Sequence, residues 1–234
     1  MILRKRNWAL VLGVSLTLVC FGAECYRALY QRKIVDQLRH RGLIVLYDWQ
    51  WDSKTQSPTQ PGILRRVLGD DLLATVVLVS SAELCDEECR IIAQLPYVTD
   101  IETPISYSVT DVGLEQLGKL PHLRRLAILV SLKITDKGVS SLAKLERLES
   151  LSLSGNISER GLFLLSRVKS LLYLEVTSPL INDEGVLHFQ QASALKSLEL
   201  VGGNASTESV AAVRKSNPSL KFQYRPERRR DNPS

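Results

Sequence analysis

Between Leu84 and Tyr224 the chain repeats itself about every 24 residues, and no other feature constrains its fold as tightly. The frame opens at Leu84, Val109, Ile134, Ile157, Ile181 and, degraded, at Ala205, in steps of 25, 25, 23, 24 and 24 residues. A period of this length marks stacked supersecondary units, each of which buries its apolar face only against its neighbours. It argues against a closed globule.

Each unit changes its own internal period half-way. Apolar residues stand five, eight and eleven places after the start, as in Val139, Leu142 and Leu145, or Leu114, Leu117 and Leu120. That three-residue spacing marks one face of a short helix. A pattern L-x-x-L-x-L follows, in Leu123/Leu126/Ile128, Leu148/Leu151/Leu153, Leu171/Leu174/Val176 and Leu195/Leu198/Leu200. Its last three residues alternate in and out, as in a strand. Thr110, Thr135, Ser158, Asn182 and Ser206 stand at the N-cap, where a side-chain oxygen satisfies an orphan helix N–H. Asp111, Asp136, Glu159 and Asp183 come next, where an acid suits the positive helix end. Gly113, Gly138, Gly161 and Gly185 recur in the first turn. Glycine costs helix stability, so its recurrence predicts close contact with the neighbouring unit.

L-x-x-L-x-L joined to an I-T-D-x-G-L helix start resembles the leucine-rich-repeat family, and most closely its ribonuclease-inhibitor-like and F-box-associated repeats. The resemblance covers about 140 residues. It implies an α/β fold: a short right-handed leucine-rich-repeat solenoid, with parallel strands on a concave face and helices on a convex one. The units at Leu84 and Ala205 are atypical, with Glu88 and Ser209 in place of the glycine. End units of a stack have one face without a neighbour and are expected to differ. The family's Asn or Cys after the strand is mostly missing: Asn156 matches it, whereas Ser131, Pro179 and Gly203 take its place elsewhere. An irregular loop ladder is expected.

The chain ends differently from its middle. Residues 1–41 carry eight Lys/Arg against two acids, residues 225–234 four against two, and residues 42–224 eighteen against twenty-one. The net charge of +5 therefore belongs to the termini, and the repeats are not a nucleic-acid surface. Met1–Asn7 is basic, and Trp8–Ala23 holds no charge. Sixteen apolar residues fall between a signal peptide and a span of about 17–25 residues. Apolar residues and Tyr26, Tyr30, Ile34, Val35 and Leu38 continue the segment, which favours an uncleaved single-pass anchor over residues 8–30, with a cleaved signal as the alternative. The short basic N-terminus points to repeats outside the cytoplasm. Arg27, Arg32, Lys33, Arg39 and Arg41 point the other way.

The expected organisation is a tail, anchor and juxtamembrane helix over 1–41, a β-loop-α-β cap module over 42–83, repeats over 84–224 in five to six units, and a basic tail over 225–234. Within the cap, Val45, Tyr47, Trp49 and Trp51 share one strand face, suited to closing the open end of the repeat core. The Leu64–Asp71 stretch resembles a lead-in of some membrane-anchored bacterial leucine-rich-repeat proteins.

The residues present no catalytic constellation. His40, His122 and His188 fall in unrelated contexts, Cys85 and Cys89 sit four apart on a predicted helix, and no phosphate loop, H-E-x-x-H or G-x-S-x-G occurs. No enzyme, cofactor or metal site is expected. The family binds protein partners through its concave face. On this chain the outward strand positions nominate Asp100, Glu102, Arg125, Tyr173, Glu175 and Glu199, with Tyr173 and Arg125 of the types favoured at binding centres. The expected function is a membrane-tethered, non-enzymatic protein-interaction module. A substrate-recognition adaptor like the F-box-associated relatives and a structural envelope protein are the alternatives.

Overall fold

The computed structural model describes residues 22–51 and 74–226. Helix α1 spans residues 22–40. Strands β1 (Ile44–Tyr47), β2 (Val76–Ser80) and β3 (Glu83–Cys85) follow, then α2 (Asp86–Ile92), β4 (Asp100–Thr103) and β5 (Ile105–Ser108). Helix and strand then alternate: α3 (Asp111–Leu117), β6 (Arg125–Ile128), α4 (Asp136–Leu142), β7 (Ser150–Ser154), α5 (Glu159–Ser166) and β8 (Tyr173–Thr177). The chain continues through α6 (Asp183–Leu187), a 3-10 turn (His188–Gln191), β9 (Ser197–Val201), α7 (Thr207–Ser216) and β10 (Lys221–Arg225).

The fold is mixed α/β with a mostly parallel sheet. Eight strands run in the order β1-β2-β4-β6-β7-β8-β9-β10; only β1 is antiparallel to its neighbour. Each strand from β4 onward pairs in register with the strand one repeat away, and each helix rests on the next. Two consecutive N–H groups enter each of β6–β9 by donating to one carbonyl of the coil before: Arg124 and Arg125 to Thr99, Glu149 and Ser150 to Arg124, Leu172 and Tyr173 to Glu149, Lys196 and Ser197 to Leu172. Register is thereby fixed before the ladder begins. Leu148, Leu151 and Leu153 have no exposed surface, and the equivalent residues of the other coils form one continuous core with them.

The helix starts carry a linkage between coils. Asp86 accepts from the N–H and hydroxyl of Thr110, at 2.8 and 2.6 Å, and from the N–H of Gly113 at 3.0 Å. Asp111 does the same one coil on, with Thr135 at 2.8 and 2.7 Å and Gly138 at 3.0 Å. Asp136 takes the N–H and hydroxyl of Ser158, and Asp183 the N–H of Ser206. Each acid thus serves the following helix as well as its own. The glycines are its counterpart: a Cβ on Gly138 would lie 2.5 Å from the Asp111 carboxylate and 2.8 Å from Leu114. The series breaks once. Glu159 is one methylene longer, and Asn182 instead caps its own helix through Gly185 N–H at 2.9 Å. Glu159 turns to Glu184, whose pKa is raised by their shared hydrogen bond, and lies 3.7 Å from His188 Nε2.

Several expectations change against this structure. α1 does not stand apart from the cap: Ala28, Ile34, Val35 and Leu38 are buried, and Gln31 donates to the Ala74 carbonyl. β2 pairs in parallel with β4, so the cap and the repeats share one sheet across the expected boundary at 83/84. Val45 and Tyr47 face the core, and Trp49 packs against it. Residues 8–21 of the expected anchor, residues 52–73 of the cap module with its expected helix, and most of the basic tail lie outside the described residues. Among the described residues no helix is long and apolar enough to cross a membrane. Cys85 ends β3 and caps α2, so it is not a helical partner of buried Cys89. β5, which pairs with β3, was absent from the expected pattern. The loop ladder is irregular, as Ser131 donates to Val109, Asn156 to Leu132 and Ser178 to Ile157. Ser178, not its neighbour Pro179, fills the role at that coil.

Gly138→Ala gains about 1 kcal/mol of helix propensity, yet it is expected to lower stability to urea by about 1–3 kcal/mol. Combined with Asp111→Ala, it is expected to cost less than the sum of the two single changes. A neutral Gly138→Ala would refute the steric account. Conversely, Glu159→Asp with Asn182→Thr completes the series and is expected to raise stability by about 1 kcal/mol.

Candidate functional site

Strict parallel register turns the outward strand positions into rows. One row reads Asp100, Arg125, Ser150, Tyr173, Ser197, Lys221. The next reads Glu102, Ala127, Ser152, Glu175, Glu199, Gln223. Neighbours in a row are one strand spacing apart, roughly 4.8 Å. Core leucines alternate with them on the opposite side, so each outward side chain stands on a buried one.

The two ends of this face differ. Asp100, nominated as a contact residue, is fully buried and forms an ion pair with Arg125 Nε. It is a structural anchor, and the nomination is corrected. Burial raises its pKa above the ordinary aspartate value, opposed by the Thr99 hydroxyl at 2.6 Å and by Arg125. Arg125 is half-buried, and its charge is committed to Asp100. Leu78, in register with Asp100 on β2, is buried too. The Asp100 row is closed here, while Glu102 on the same strand stays exposed.

Beyond β6 it opens. Tyr173 is half exposed, between Ser150 and Ser197 in its row. Glu102 is exposed, and Glu175 and Glu199 are partly so. Glu199 takes the Arg225 guanidinium at 3.0 Å. Of the six nominated residues, Tyr173, Glu175 and Glu199 come together on adjacent strands; Glu102 continues their row at a distance, and Asp100 and Arg125 pair with each other.

Elsewhere the polar groups pack. His122 stacks on Tyr97 with ring centroids 5.6 Å apart and meets Arg147 at 3.0 Å. His188 meets the edge of Phe163 at 5.0 Å. Burial pushes the Cys89 thiol well above its ordinary range, which leaves it an inert core group. A groove of about 660 Å³ opens beside the 3-10 turn, between Phe163, Arg167, Leu187 and His188. It forms because α6 is only five residues long and gives way to the 3-10 turn, so the helical layer recedes there. Among the described residues no cluster of three His, Cys, Asp or Glu is placed to hold a metal ion. No model of a known protein family matches the chain, and no curated protein matches it.

The Asp100 carboxyl should titrate above an ordinary aspartate by carbon-detected NMR. A folded-state pKa above the unfolded one means the folded state holds the extra proton between the two values. Stability is therefore expected to fall as pH rises through that window, and Asp100→Asn to remove that slope. A titration at or below the ordinary aspartate value would refute this.

Proposed function

We propose that the chain is a non-enzymatic protein-interaction module of the leucine-rich-repeat type, tethered to a membrane through residues 8–30, and that its partner binds the outward sheet face between β7 and β9. The observation that carries the reading is the face itself. Strands β7–β9, in unbroken register, set Ser150, Ser152, Ser197, Glu175 and Glu199 around one half-exposed tyrosine, Tyr173, on a rigid base of buried leucines. Tyrosine supplies contact area at low entropic cost, and such residues dominate binding energy at protein interfaces. The helices on the other side are occupied with one another, through the shared acids and glycines. The tether is supported by the uncharged run Trp8–Ala23 and by exposed Tyr26 and Leu29 on α1.

The face is tested with a photo-crosslinking amino acid in the full chain within membranes, at Ser152 or Tyr173 and, as a control on the helical side, at Arg160. Crosslinks to one protein from the two strand positions and none from Arg160 are expected. Equal yield at Arg160 would refute the site, and ubiquitin-ligase components as the product would favour the adaptor reading. Alkaline extraction tests the tether: the chain is expected to stay with the membrane pellet, and release into the supernatant would refute it.

A further inference from the structure

We infer that the face accepts a basic, extended peptide segment lying across the strands along the Glu102–Glu175–Glu199 row, and that Arg225 occupies part of its path. This rests on the proposed role of the sheet face and adds the chemistry of the partner.

The row carries three carboxylates and no cation, with only Ala127, Ser152 and Gln223 beside them. Glu102 and Glu175 pair with no cation among the described residues, while in the closed half Arg125 is held by buried Asp100 and Arg124 by Glu149. From Glu102 to Glu199 is four strand spacings, roughly 19 Å. An extended segment covers that in about six residues at roughly 3.3 Å each. Residues two apart point the same way, so alternate basic side chains meet Glu175 and Glu199 in turn. Guanidinium suits them best, because its planar fork pairs with carboxylates through two hydrogen bonds. Tyr173, in the adjoining row on the same strand as Glu175, offers a ring face to a cation or its aliphatic stem. Phosphate-bearing ligands are repelled by the same row.

The chain displays this recognition in miniature. Arg225 reaches diagonally from β10 to Glu199, with its side chain 65% exposed. An ion pair so open to water contributes little and yields to a competing guanidinium.

The probe is a fluorescein-labelled hexapeptide of alternating Arg and Gly, titrated by anisotropy against the full chain in detergent at low salt. Glu175→Gln with Glu199→Gln is expected to weaken binding about tenfold. Arg225→Gln is expected to tighten it about threefold. Lys215→Gln, the same charge change as Arg225→Gln, and Glu208→Gln, half that of the double variant, both on α7 away from the row, are expected to leave it unchanged. Equal responses at Lys215 and Arg225 would reduce the effect to net charge and overturn the inference. So would unchanged binding in the double glutamine variant. If neutralising Arg228, Arg229 and Arg230 tightens binding while Arg225→Gln does not, the chain's own terminus is the competitor and the assignment to Arg225 falls. Crosslinking to a partner from Ser152 together with failed peptide binding would remove the basic chemistry and leave the proposed function standing.

Discussion

An isolated helix of five to ten residues is unstable in water, because its first N–H groups have no partners inside the helix. In this chain the partner comes from the coil before. Asp86, Asp111 and Asp136 each reach one repeat forward to the N-cap residue, and the first two also reach the glycine behind it. The recurring composition of the helix starts follows from this contact. It requires glycine in the first turn, since any Cβ would enter the space of the carboxylate. It requires Thr or Ser at the cap, where one hydroxyl donates to the neighbour's acid and accepts from its own helix. It ties each helix start to the last, whereas register is set at the strand entries: β8 and β9 keep it although the acid link between their coils is missing.

The sequence made the repeat, the caps, the glycines and the leucine core legible because each recurs with one period. What it hid falls into two kinds. The destination of the acids could not be read: an aspartate at the first helical position has a sufficient local reason to be there, the helix dipole, and periodicity does not reveal a second partner 24 residues away. Single events were hidden as well. A second strand before the helix, β3 and then β5, forms in the first two coils only among the described residues, although Ile105-Ser-Tyr107-Ser alternates as a strand should. The loop hydroxyls Ser131 and Ser178 replace the asparagine that a pattern search looks for.

The candidate site was legible in position and not in state. Alternation put all six nominated side chains at outward strand positions, and the register lines those positions up in two rows. Whether an outward residue is free depends on what covers it, and a one-dimensional pattern carries no such information. Asp100 is the clear case. It occupies the same outward row as Tyr173, yet it is buried and ion-paired while Tyr173 stands half exposed.

That asymmetry follows from how the stack begins. The first coil has no predecessor, so its core must be closed by something other than a repeat. α1 contributes Ile34, Val35 and Leu38, and β1 contributes Val45 and Tyr47. β1 also runs against the grain of the sheet, which frees the chain to turn back at Trp49. Burying Asp100 at this end has a cost, visible in its raised pKa, and Arg125 offsets it at the expense of its own availability. One arginine is thereby withdrawn from the outward face. The carboxylates two and three strands away then face cations only from β10 at the far edge, where Arg225 pairs with Glu199 and Lys221 stands in the adjoining row. The acidity of the open half is thus a consequence of how the closed half is stabilised.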